Sequence, residues 1–385
     1  MISKNWYYFM EIKIFREKIN NYWRNVDKRI LFSFIILFLL GLFFSFSSTS
    51  SLAGERLNKD YYYFFSKHLI FMLFAVFLMF LISFIELNFF QKIISPIFII
   101  LFIALVLVPF TGVEVKGSKR WLDLYFFRLQ PIEIIKPFFI LFTAKILTLD
   151  KTKTTNTSYF FSFSILLSII ILLINQPDIG QSILLICTWI SIVFISGIRI
   201  LYIFSFFSFS LAALAGLLIS FPDKFGYIIQ RLNTFLDPSK GDSFQSQKAL
   251  DAIKQGGFKG QGMGEGILKD SVPEAHTDYI IAVISEEFGS MASILLISIF
   301  LYISFRIIKT TVKETDKDLK ISLCGLTALL IFQTFIHIGV NTSLLPTTGM
   351  TLPFLSYGGS SLLGSSILAG VILNYTKDRF KNNED

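Results

Sequence analysis

The sequence predicts an all-α polytopic membrane protein of ten transmembrane helices, with both termini cytoplasmic and one large extracytoplasmic loop between helices 7 and 8. Three observations predict it. Of 385 residues, 53% are hydrophobic and only 16% charged, where a soluble domain carries about 25% charged, and the mean hydropathy is +0.64. Apolar runs of span length recur along the chain. Basic residues collect at alternate ends of those runs, as they do on the cytoplasmic side of membrane proteins.

The first element, residues 1–29, is a basic cytoplasmic segment holding Lys4, Lys13, Arg16, Lys18, Arg24, Lys28 and Arg29. A cleaved signal peptide ending within 47–54 is the competing assignment, but the basic region is long for one and the following run is long enough to span. The membrane domain, 30–375, contains apolar runs at 30–48, 68–86, 92–110, 131–148, 159–175, 179–197, 200–220, 279–305, 320–344 and 358–375. Each is near the ~20 residues that carry a helix across ~30 Å of hydrocarbon. Lipid offers the backbone no hydrogen bonds, so helices are the expected form. The expected inner loops carry Lys92, Lys151, Lys153, Arg199, Arg306, Lys309, Lys313, Lys317 and Lys320, and the tail, 376–385, adds Lys377, Arg379 and Lys381. The outer loop, 222–278, mixes basic residues with Asp223, Asp237, Asp242, Asp251, Glu265, Asp270 and Glu274. The net charge of +8 thus follows membrane sidedness and does not point to nucleic acid. Cys187 and Cys324 lie in separate apolar runs and read as core residues. His68, His276 and His337 are too scattered in sequence for a His-based metal site.

Four polar clusters fall on the expected outer face. The first runs from Lys116, Ser118, Lys119, Arg120 and Trp121 to Gln130-Pro131-Ile132-Glu133 and Lys136. Trp121 suits an interfacial anchor. Glu133 and Lys136 share a helical face, as a structural ion pair or with Lys136 turned to an anionic ligand. The second is Gln176-Pro177-Asp178-Ile179-Gly180, where a turn with Asp178 as its cap is sufficient. The third is the glycine-rich stretch 256–266; it lacks the strand and Gly-Lys-Ser ending of a nucleotide P-loop and suits flexible backbone folding over a head group. Ser271 and Glu274 then have the spacing of a capping box. Asp278 lies past that cap at the edge of an apolar run, where ionisation is costly and a functional role is the default. The fourth runs from Leu345-Pro346-Thr347-Thr348-Gly349 through Pro353, Ser356, Tyr357, Gly358, Gly359 and Ser360. Such helix-breaking backbone at membrane depth is tolerated where it is buried in protein or lines a cavity.

In order, KGSKRW, QPIEIIK, QPDIG, VPEAHTD and GMTLPFLSYGGSS resemble the motifs of the SEDS family (shape, elongation, division and sporulation) over about residues 30–375. The wording is nearer the division branch than the elongation branch. Two positions depart from the family pattern: Ile132, where Ser is common, and Ser343, where Gly is usual. The resemblance implies a peptidoglycan glycosyltransferase that polymerises lipid II and the growing lipid-linked glycan on the outer face of the bacterial cytoplasmic membrane, at the septum. It implies a class B penicillin-binding protein and other division-complex membrane proteins as partners. It places Asp278 at the family's essential aspartate.

Inverting transfer from a lipid diphosphate needs a base for the attacking hydroxyl and positive charge at the leaving group. Asp278 is the expected base. Lys136, Lys116, Lys119 and Arg120 are candidates for the diphosphate; Glu133, Ser356 and Ser360 are candidates for the cavity wall. Trp121, Asp178, Glu274, His276, Gly358 and Gly359 are expected to support them. A divalent cation, Mg or Mn, held partly by the diphosphate is compatible with this chemistry; no organic cofactor is expected. A lipid-linked precursor flippase would need the same cavity without a base, and a scaffold would need neither. For the topology, a cysteine at Ser243 should label in intact cells while the C-terminus stays protected; the opposite pattern would overturn the ten-span arrangement.

Overall fold

The computed structural model describes residues 13, 16–48, 62–115, 117–125, 127–150, 154–220, 222–237 and 243–378. Lys4, Lys116, Lys151, Lys153, Asp242, Arg379 and Lys381 lie outside them. Ten apolar helices follow the expected runs: α1 Lys28–Ser48, α2 Tyr63–Phe84, α3 Leu87–Thr111, α4 Pro131–Leu147, α5 Asn156–Asn175, α6 Ile179–Ile195, α7 Ile200–Ser220, then, after the 222–278 segment, α10 Ile280–Lys313, α11 Lys317–Asn341 and α12 Gly359–Tyr375. Among the described residues, six are long and apolar enough to cross a membrane by themselves: α1, α2, α3, α5, α10 and α11. Helices α4, α6 and α12 have 17 residues each, short of an average span.

The short helices are the inner ones. Every residue of α12 from Ser360 to Tyr375 is buried, against α2 on one side and α4 on another. Gly364 makes the α4 crossing possible, because a Cβ there would stand 2.3 Å from the Glu133 carbonyl oxygen; small residues at such crossings let membrane helices approach closely. Asn374 closes the other end of the α2 contact, donating to Ile82 O at 2.9 Å and Ile85 O at 2.7 Å. The outer helices turn apolar side chains away from the protein, among them Ile70, Phe74, Ile100 and Phe110. A continuous apolar exterior of this kind needs lipid around it.

Three expectations are corrected. The helical class stands, with a small antiparallel sheet added to it: β1 Val113–Val115, β2 Ser118–Asp123 and β3 Arg128–Leu129, in the order β1-β2-β3. The short turns between alternating residues there favour a ladder over a helix. The 222–278 segment is built rather than open, with α8 Pro222–Leu236, α9 Phe244–Gly256 and a 3₁₀ turn Leu268–Ser271. Ser243 is buried at the start of α9, so the exposed Lys259 is the better labelling position. The Ser271–Glu274 capping box does not form: Ser271 Oγ donates back to Leu268 O at 2.7 Å, and Glu274 sits in a turn at φ 56°. Ser343, where glycine is the family habit, also has positive φ, 56°; that conformation is what glycine supplies without steric cost.

The third correction concerns the run 279–305, which is not one helix. Helix α10 breaks at Gly289, whose φ of 78° and ψ of 171° interrupt it after Phe288. The break leaves orphan carbonyls and amides, and the glycine-rich segment supplies their partners. Gln261 N donates to Glu286 O and Gly262 N to Glu287 O, both at 2.9 Å, while Ser290 N donates to Gly257 O at 2.9 Å. Stretch 256–262 is therefore a pairing strap across the broken helix, not a flexible cover. A Cβ on Gly289 would lie 2.2 Å from Phe258 O, and one on Gly260 2.2 Å from Glu287 O; nothing lies near a Cβ on Gly264. Gly260→Ala and Gly289→Ala should each lower thermal stability by more than about 2 kcal/mol, and Gly264→Ala by only about 1 kcal/mol for its positive φ. Thermal unfolding of the purified variants in detergent checks the ranking; equal losses at all three sites would sink the strap.

Candidate active site

The turn before α10 is set by one carbonyl. The amides of Thr277, Asp278 and Tyr279 converge on Glu274 O at 3.0, 3.1 and 3.3 Å, and Thr277 Oγ1 donates to Glu274 Oε2 at 3.0 Å. This winds the chain tightly and delivers Asp278 two residues before α10 begins. Asn341, at the end of α11, then clamps it. Its amide donates to Asp278 O at 3.0 Å, and its Oδ1 accepts from Ala282 N at 3.2 Å, one of the free amides at the start of α10. The Asp278 side chain is half-buried. Its Oδ2 lies against Gly349, where a Cβ would stand 3.4 Å away and φ is +68°.

The 342–358 segment is stitched to the same turn. Ser356 Oγ donates to Thr277 O at 2.6 Å and accepts from Leu352 N at 2.8 Å. Tyr357 N donates to His276 O at 2.9 Å, and His337 Nδ1 lies 2.7 Å from Met350 O. The His276 ring rests between Phe64 and Tyr357, with centroids 5.0 and 5.7 Å away. His68 of α2 also packs on Tyr357, at 5.9 Å. Two of the three scattered histidines therefore meet around one tyrosine, which sequence separation concealed. Among the described residues, no group of three or more His, Cys, Asp or Glu is arranged to hold a metal.

Cations approach from β2 and α8. Arg120 Nε donates to Gln176 O at 2.9 Å, its guanidinium also reaches Pro177 O, and Asp178 Oδ2 is 4.0 Å away. Asp178 caps α6 through Gln181 N at 3.4 Å and accepts from Gln130 Nε2 at 3.5 Å. Burial pushes its carboxyl above the usual range, while Arg120 holds it down. The Gln176–Gly180 turn abuts the 347–350 segment, because a Cβ on Gly180 would come within 2.8 Å of Thr348 Cβ. Arg231 of α8 donates to Thr347 O at 3.2 Å. Tyr279, next to Asp278, is buried.

Other candidates are committed elsewhere. Lys136 Nζ binds Glu133 Oε2 at 2.8 Å and Gln333 Oε1 at 3.2 Å, with side-chain exposures of 3% and 5% for the ion pair. Gln181 Nε2 donates to Glu133 Oε1 at 2.6 Å. The void beside the pair is about 10 Å³, room for a single water. The structure thus favours the ion-pair alternative over an open diphosphate contact. Ser360 Oγ accepts from Gln130 N at 2.9 Å and donates to Arg128 O, fastening the sheet to α12. Gly358 precedes that helix, and a Cβ on Gly359 would meet Phe71 at 2.7 Å. Lys119 is exposed on β2 opposite Glu114, and the half-buried Trp121 pairs with Val113. Sequence reasoning missed Arg231 and Asn341. An Asn at the end of an otherwise apolar helix was a readable signal for the second; Arg231 lay unmarked in a segment expected to be loop.

Fold and site together define a polytopic helical membrane protein whose broken helices gather one half-buried carboxylate and two arginines at one end of the bundle. The family model described as Cell cycle protein, covering FtsW, RodA and SpoVE, matches residues 28–381, and the chain belongs to that family. It is similar to "Probable peptidoglycan glycosyltransferase FtsW" of Caulobacter vibrioides, with 31% identity over 373 residues, 94% of this chain and 92% of that protein. The protein of the same name from Buchnera aphidicola subsp. Acyrthosiphon pisum is 34% identical over 358 residues, 90% of this chain and 88% of its own. Among solved structures, a chain of a peptidoglycan synthase complex matches with TM-score 0.75 and 22% identity, covering 93% of this chain and 99% of that one. Rod shape determining protein RodA of Thermus thermophilus matches with TM-score 0.68 and 22% identity, covering 93% and 98%. The fold is that of RodA.

The Glu133–Lys136 geometry makes its own prediction. Lys136→Met leaves a buried carboxylate without its cation and should cost about 3–5 kcal/mol. Adding Glu133→Gln should recover most of that loss. Thermal unfolding of the single and double variants decides it; a Lys136→Met protein as stable as the parent would show that the pair does not hold the bundle.

Proposed function

We propose that this chain is a peptidoglycan glycosyltransferase that polymerises lipid II into β-1,4 glycan strands, in the service of cell division. The observation that carries the proposal is the fixed position of Asp278. Its backbone is clamped by Asn341, and its side chain is half-buried beside the segment whose Thr347 carbonyl holds Arg231. Family membership supports the same activity, since both FtsW relatives carry it in their names.

The chemistry follows from that arrangement. The 4-hydroxyl of a lipid II acceptor attacks the anomeric carbon of the growing chain, whose diphosphate-linked lipid leaves. Asp278 takes the hydroxyl proton as the new bond forms, a role that needs a carboxylate near but not within bulk water. Arg231 and Arg120 stabilise the charge gathering on the diphosphate, with the exposed Lys119 at the rim. Fixed cations aimed at a leaving group supply much of the rate enhancement in such transfers. Lys136, enclosed beneath this level, positions α4 and the base of the site. A divalent cation would arrive with the diphosphate and be held partly by its oxygens, the usual habit of magnesium.

The proposal includes ten spans with both termini cytoplasmic and the Asp278 end on the outer face of the cytoplasmic membrane. It includes a septal location and a class B penicillin-binding protein as transpeptidase partner; the match to a chain of a synthase complex that coordinates polymerization and crosslinking supports a partnership of this kind. The division role rests on the FtsW relatives, because the fold is shared with RodA.

Asp278→Asn keeps the shape of the side chain and removes the proton acceptor. Polymerisation of purified lipid II should fall by about 10²–10⁴-fold, with lipid II binding retained. Glu274→Gln should cost only about 1 kcal/mol, the worth of its bond to Thr277, and keep most activity. Rates measured at equal folded concentration separate the two, and near-normal synthesis by Asp278→Asn would return the flippase to first place.

A further inference from the structure

Helix α8, Pro222–Leu236, buries Ile228 and exposes Gln230 and Asn233, yet it also leaves an apolar stripe uncovered. Ile229, Leu232 and Leu236 share one face by their spacing of three and four, and they are 39%, 44% and 77% exposed. The opposite face carries Tyr227 and Arg231, and these polar side chains make the attachments. Tyr227 donates to Ile174 O at 3.4 Å, at the end of α5, and Arg231 donates to Thr347 O at 3.2 Å. The helix that α8 packs on most is α7. Water outside such a helix would leave its apolar stripe uncovered, with Gln230 and Asn233 exposed on its flank. Hydrocarbon outside it removes the conflict.

The chain's course identifies that hydrocarbon. Only residue 221 separates α8 from α7, an apolar helix whose Leu201, Phe204, Phe207 and Leu211 face outward from the protein. The end of this spanning helix therefore places the start of α8, with Asp223 and Lys224 in its first turn, at the membrane boundary. We propose that α8 is an interfacial arm lying in the leaflet at the Asp278 end of the membrane, with Ile229, Leu232 and Leu236 in lipid and Arg231 turned inward to the site. Helices of this type sink their apolar face ~5–10 Å into the boundary of head groups and acyl chains. That depth suits an arginine that meets a diphosphate still attached to its lipid. The consequence for substrate capture rests on the glycosyltransferase reading; the placement of the arm does not.

The test uses the full-length protein with Cys187 and Cys324 replaced by Ala, reconstituted in phosphatidylglycerol–phosphatidylethanolamine vesicles. Single cysteines at Leu232, at Leu236 and at the exposed Lys259 carry an environment-sensitive NBD label. Labels at 232 and 236 should emit blue-shifted and be quenched several-fold more strongly by doxyl-labelled lipid than the label at 259. Water-like, unquenched emission at 232 and 236 would overturn the arm and leave the stripe to a protein partner. Lipid II polymerisation by the same samples keeps the two readings separate. Quenched labels on a folded protein that makes no glycan would count against the polymerase alone, and unquenched labels on an active polymerase against the arm alone.

Discussion

Hydrocarbon gives a peptide group nothing to bond to, and the site depends on how this chain answers that constraint wherever it leaves the helix. At Gly289 the answer is the 257–262 strap, which returns partners to both sides of the break. At the start of α10 it is Asn341, which supplies an acceptor to a free amide and a donor to the carbonyl just before it. Along 342–358 it is His337, Ser356 and the His276 carbonyl. Each repair fixes irregular backbone in one position. Irregular backbone is also where a side chain can be presented at membrane depth without being buried in a helix contact. The order around Asp278 is therefore a by-product of satisfying the backbone.

Charge follows a parallel rule. Glu133 meets Lys136 and Arg306 meets Asp27. Glu287 meets Lys269 and also accepts from Ser47 of α1, so the strap region is tied to the first helix. Of these, the Glu133–Lys136 and Glu287–Lys269 pairs are buried and tolerate no loss of one partner. Asp278, Arg120 and Arg231 are half-buried. They lie where α8, β2 and the 342–358 segment converge, at the end of the bundle and not in its middle. A lipid-linked substrate can reach such a place with its head group while its tail remains in the leaflet.

Much of this was legible in the chain. The apolar runs and their order follow from composition and spacing, because these are local properties that any arrangement of the helices must respect. The Glu133–Lys136 contact was legible for the same reason, three residues being less than one helical turn. Other features were decided only in three dimensions. Nothing local distinguishes glycines that flex from glycines that admit a crossing backbone; Gly260 and Gly289 acquire their role from each other. The false capping box at Ser271 and Glu274 had the right spacing, but the 3₁₀ turn before it and the convergence of three amides on Glu274 O took the chain elsewhere. Arg231 became part of the site only because α8 folds back over Thr347, a contact between residues more than a hundred positions apart. Sequence determined which segments could live in a membrane and which charge was costly there. Tertiary structure decided which segments gather around it, since neighbours in space are not chosen by distance along the chain.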